Sequence, residues 1–77
     1  KIGKWQGFKN LNYFSVFKNA KEQYEVNLWY DRNRHFNISL FEDKPGAILE
    51  GKQLAKQLNL RLLDATEANN QKWIESD

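Results

Sequence analysis

His35 is the only imidazole in a 77-residue chain without cysteine, and Ser39 and Glu42 are the downstream groups that could complete a catalytic pair with it. Acid–base or nucleophilic work needs such a partner held at hydrogen-bond distance in a cleft. On a strand, positions 35 and 39 share a face but lie about 13 Å apart at ~3.3 Å per residue, which excludes direct pairing. His35 therefore reads as a surface histidine at the start of a strand, and the chain is not expected to be an enzyme. Metal chemistry is equally poorly served. Without cysteine and with one histidine, a zinc site would have to rest on carboxylates. Glu42 and Asp43 lack the further oxygen ligands that calcium needs, and they fit better as a strand terminus favouring the positive end of a following helix. Gly46 and Gly51 match neither a phosphate-binding loop nor a dinucleotide fingerprint. No cofactor, metal or small-molecule substrate is called for.

The remaining chemistry is that of binding. Residues 1 to 21 hold five lysines and no acid, whereas 64 to 77 are net acidic, within a net charge of +2 and a pI near 9.0. Lys4, Lys9, Lys18 and Lys21 interleave with Trp5, Phe8, Tyr13 and Phe17, and Arg32 and Arg34 follow in a central turn. Such a mixture can supply phosphate contacts and base stacking together, so Lys4, Trp5, Lys9, Lys18, Lys21, Arg32 and Arg34 form a candidate nucleic-acid surface. Against it, Glu25 and Asp31 would face phosphates, and no ribonucleoprotein signature, GXXG loop or helix-turn-helix spacing is present.

These side chains need a frame. No repeat or linker divides residues 1–77, which read as a single small α+β domain. Before Pro45 the apolar period is two. Asn12 to Lys18, Tyr24 to Tyr30 and His35 to Glu42 are strands, joined by polar segments of hairpin length into an antiparallel meander. After Pro45 the period is helical: Ala47, Ile48, Gly51, Leu54, Ala55 and Leu58 line one face. Gly51 implies close approach of that helix to the sheet, and Asn59 is a left-handed stop. Leu60 to Leu63 reads as a short strand able to join the meander. Asp64 with Glu67 has capping-box spacing, which proposes a short C-terminal helix from Ala65 to about Glu75, anchored by Trp73 and Ile74, or a fraying tail. The expected architecture is an antiparallel sheet of three or four strands with one amphipathic helix packed on one face.

Uninterrupted alternation puts Tyr24, Val26, Leu28, Tyr30, Phe36, Ile38 and Leu40 under the helix. The other face then carries Glu25, Asn27, Trp29, His35, Asn37, Ser39 and Phe41. Two aromatics among polar groups are a protein-binding hot spot in the making, so Trp29 and Phe41, flanked by His35 and Asn27, are the candidate site. The chain's own Lys1 to Phe8 segment, or the tail with Trp73, is the competing cover for that face.

The order of hairpin, helix with its Leu54-Ala55 pair, and strand Leu60 to Leu63 is similar to sheet-plus-helix segments of many bacterial proteins, some membrane-anchored. It covers about half of the chain and implies no function. No apolar run approaches the ~18 residues of a membrane span, and the first residues lack a signal-peptide core. A start at Lys1 suits a processed product or an excised piece, cytoplasmic or a soluble domain of a longer protein. The expectation is a non-catalytic interaction or regulatory module that binds a protein partner, or a second copy of itself, through a sheet face or edge. Nucleic-acid binding is the alternative.

Overall fold

The computed structural model describes residues 10–67 and 69–74; Lys4, Trp5 and Lys9 of the candidate nucleic-acid surface, and the Lys1 to Phe8 segment, lie outside them. The elements are β1 (Leu11–Lys18), β2 (Tyr24–Tyr30), β3 (Arg34–Phe41), α1 (Lys44–Leu58), β4 (Arg61–Ala65) and β5 (Lys72–Ile74). They form one five-stranded sheet in the order β3-β2-β1-β4-β5, with α1 packed on one face.

The meander β1-β2-β3 is antiparallel, as the hairpin-length segments between its strands predict. Asn19 shapes its first turn: Oδ1 accepts from the backbone N–H of Lys21 at 2.9 Å and of Gln23 at 3.0 Å. The expected all-antiparallel sheet is corrected by β4, which pairs parallel to β1. A parallel neighbour needs a crossover of about a dozen residues or more, and the 15 residues of α1, roughly 22 Å at 1.5 Å per residue, supply it. Because β2 occupies one edge of β1, the returning chain joins the other.

Pro45 and Gly46 do not separate strand from helix; they lie in the first turn of α1. Proline suits that turn because its missing N–H would have no intrahelical partner there. Asp43 is the N-cap, its side chain accepting from Gly46 N–H at 3.3 Å. The helix ends as its sequence indicates, at Asn59 with φ 57° and ψ 45°, followed by the Leu60 N–H donating to Ala55 O at 2.8 Å.

Phe14 and Val16 of β1, Val26 and Leu28 of β2, Leu62 of β4, and Ala47 and Ala55 of α1 are the buried core. Small residues on the helix let it lie close to the sheet. A Cβ added at Gly51 would stand 2.8 Å from Leu62 Cδ1, closer than packed carbons approach.

Two expectations fail after α1 and within β3. Asp64 caps no helix: its Oδ1 takes both the backbone N–H and the hydroxyl of Thr66, at 3.1 and 2.7 Å, while Oδ2 faces Lys44 Nζ at 3.3 Å. The side chain thus ends β4 and ties it to the start of α1, and the chain returns as the short strand β5, antiparallel to β4. In β3, Val26 pairs with Ser39 and Asn27 with Asn37, so Ile38 is an extra residue, a β-bulge. The bulge reverses the faces beyond it. Phe41 moves to the helix side and packs against the core, where a Cβ on Gly46 would lie 3.0 Å from its ring; Leu40 turns to the other side and is 53 % exposed. Among the described residues, no helix is long and apolar enough to cross a membrane.

Candidate binding site

The sheet face away from α1 is built from alternate residues of all five strands. Register places Tyr13 beside Trp29 on one side and Arg61 on the other, and Trp29 beside His35. Leu63 lies between Ser15 and Trp73. Strand pairing therefore aligns side chains that are far apart in sequence into one row.

That row is a ribbon of rings. The His35 and Trp29 centroids are 4.6 Å apart, Trp29 stacks on Tyr13 at 5.9 Å, and Tyr13 meets Trp73 edge-to-face at 5.3 Å. The guanidinium of Arg61 closes the row, its Cζ 3.9 Å from the Trp73 ring centroid. Spacings of this kind are favourable for aromatic pairs and for a cation over an indole, so each ring restrains its neighbour.

Beside the ribbon runs a polar row. Ser15 and Asn27 are almost fully buried although they belong to this face. Their hydrogen bonds account for that burial. Trp29 Nε1–H donates to Ser15 Oγ at 2.9 Å, and Asn37 Nδ2 donates to Asn27 Oδ1 at 3.1 Å. Asn27 Nδ2 donates to Glu25 Oε1 at 3.3 Å, and Asn19 Nδ2 to Glu25 Oε2 at 3.2 Å. The two rows border a groove of about 460 Å³ that runs from Phe17 and Glu25 at one end to Tyr13, Trp29 and His35 at the other.

Of the residues singled out from sequence, Trp29, His35 and Asn27 share this face, whereas Phe41 lies on the opposite one for the reason given above. Ser39 also faces the helix side, opposite Val26, so the bulge parts it from His35 altogether. Among the nucleic-acid candidates, Lys18 and Lys21 sit at the β1–β2 end of the sheet and Arg32 and Arg34 at the β2–β3 end. The seven residues of β2 separate the two pairs by about 20 Å, and they form no common patch. Arg34 Nε lies 4.0 Å from Asp31 Oδ2, the first group largely and the second about half exposed.

The sequence reading does not assign Tyr13, Ser15 or Arg61 to the face and names Trp73 only as part of a tail that could cover it; the structure places Trp73 in the face, as part of β5. Alternation within β1 does contain Tyr13, Ser15 and Phe17 as one row, but which side that row takes depends on pairing with β2. Nothing local marks Arg61. Among the described residues no group of three or more His, Asp or Glu side chains is placed to hold a metal ion. No family model, curated protein or solved structure matches the chain.

Proposed function

We propose that this domain is a non-catalytic interaction module that binds a protein partner through the face of its sheet away from α1. The observation carrying this reading is the continuous row His35–Trp29–Tyr13–Trp73 closed by Arg61. Ordered aromatic side chains concentrate binding energy because they bury much surface and have little freedom left to lose. Here Trp29 is held by neighbours on both sides and by its indole hydrogen bond. The polar row supplies the rim.

The same rings could stack on bases, which keeps nucleic acid as the competing reading. Charge favours protein: Glu25 lies in the groove, and of the basic candidates among the described residues Lys18 and Lys21 sit at one end of the sheet and Arg32 and Arg34 at the other.

Panning a random peptide library against the folded domain, with Trp29→Ala and Trp73→Ala as counter-selections, tests the proposal. Retained peptides should shift the amide and indole NMR signals of Tyr13, Trp29 and Trp73 and leave those of α1 in place. A mixed single-stranded oligonucleotide is the second arm. Oligonucleotide binding at low salt that collapses at moderate salt, with no peptide mapping to the face, would overturn the protein reading. So would protection of Trp29 and Tyr13 by the chain's own first nine residues.

A further inference from the structure

Glu25 lies at the end of the groove away from the rings, and both of its carboxylate oxygens are held. Oε1 accepts from Asn27, itself fixed by Asn37, and Oε2 accepts from Asn19 in the first turn. The carboxylate is thus aimed before any ligand arrives. One amide donor on each oxygen leaves lone pairs for further donors. The ion pairs among the described residues are Arg34–Asp31 and Lys44–Asp64, and neither involves Glu25. Among the described residues, Glu25 is also the one carboxylate lining the groove, and no lysine or arginine lines it.

We infer that the groove selects an extended peptide segment with a lysine or arginine seated on Glu25 and an apolar side chain four residues away, over Trp29 and Tyr13. The inference rests on the protein-binding reading and adds the chemistry of the partner. A cation at Glu25 forms charge-assisted hydrogen bonds, the strong class, while an acidic group there meets like charge at half-buried depth. Phe17, opposite Glu25 on the neighbouring strand and also lining the groove, offers an apolar wall to the aliphatic stem of the incoming side chain. Spacing sets the second contact. Glu25 and Trp29 share a face of β2 four residues apart, about 13 Å, which is the separation of side chains i and i+4 on an extended peptide.

The experiment uses blocked pentapeptides with Leu at one end, Thr at the three middle positions, and Arg, norleucine or Glu at the other end, in both orders. They are titrated into the full 77-residue chain and followed by NMR. The Arg peptide should bind about tenfold more tightly than its norleucine counterpart, with the Glu peptide weakest, and added salt should shrink the difference. Glu25→Gln should erase the Arg preference, and Glu25→Lys should transfer it to the Glu peptide, each variant retaining a dispersed spectrum. Equal binding of all three peptides to the wild-type face, or an Arg preference that survives Glu25→Gln, overturns the cation site while leaving the protein-binding reading intact. Failure of every peptide to shift the face overturns both.

Discussion

The indole N–H of Trp29 on β2 donates to the hydroxyl of Ser15 on β1 at 2.9 Å, so a ring of the face away from α1 is oriented by a buried serine. Ser15→Ala keeps the volume nearly unchanged but leaves the indole donor without its acceptor. The expected cost is about 1–2 kcal/mol in urea denaturation. The Trp29 indole proton should also exchange with solvent faster. Unchanged stability and exchange would show that the bond does not hold the ring.

The bulge at Ile38 predicts opposite outcomes for two adjacent residues. Phe41 packs against the core, and Phe41→Ala should cost about 2–4 kcal/mol. Leu40 is half exposed on the face away from α1, and Leu40→Ala should change stability by less than about 0.5 kcal/mol. Unbroken alternation through β3 would reverse the order. Paired urea denaturation curves decide between the two registers.

Gly51 tests how closely α1 lies on the sheet. Alanine gains about 1 kcal/mol of helix propensity, but its methyl group would stand 2.8 Å from Leu62 Cδ1 in a packed core, and overpacking costs about 1–3 kcal/mol. Gly51→Ala should therefore be destabilising on balance. Adding Leu62→Val should recover part of the loss, giving a double-mutant coupling that distant sites would lack. A stabilised single variant would refute the close packing.

Asp64 predicts a pH dependence. Burial acts to raise its pKa, yet the two hydrogen bonds from Thr66 and the Lys44 ammonium outweigh burial and hold it below the ordinary 3.8. A carboxyl with a depressed folded-state pKa contributes stability that is complete above its unfolded value and is lost as pH falls through the folded one. The melting temperature of the wild type should thus fall more steeply below pH 3.8 than that of Asp64→Asn, with the curves parallel at higher pH. Lys44→Met should reproduce part of the difference. Parallel curves throughout would refute the linkage.

Patterns set by neighbours along the chain were legible in the sequence. Alternation in Tyr24 to Tyr30 identified β2 and placed Asn27 and Trp29 together on the face away from α1. The 3.6-residue period, Gly51 and Asn59 identified α1, its contact side and its end. Each follows from backbone geometry and side-chain direction within a few residues. The site as a whole was only partly legible. An extra residue in β3 leaves no trace when Leu40 and Phe41 are both apolar, since either can serve as the core residue. Which partner β4 chose, and in which direction, depended on the free side of β1 and the reach of α1. Trp73 and Arg61 joined Tyr13 and Trp29 in one row only through that pairing. Register and strand order are settled by hydrogen bonds between segments distant in sequence and by what the helix must cover. Tertiary structure therefore decided which residues complete the ring row, and the sequence alone decided that a face with Trp29 and His35 would exist.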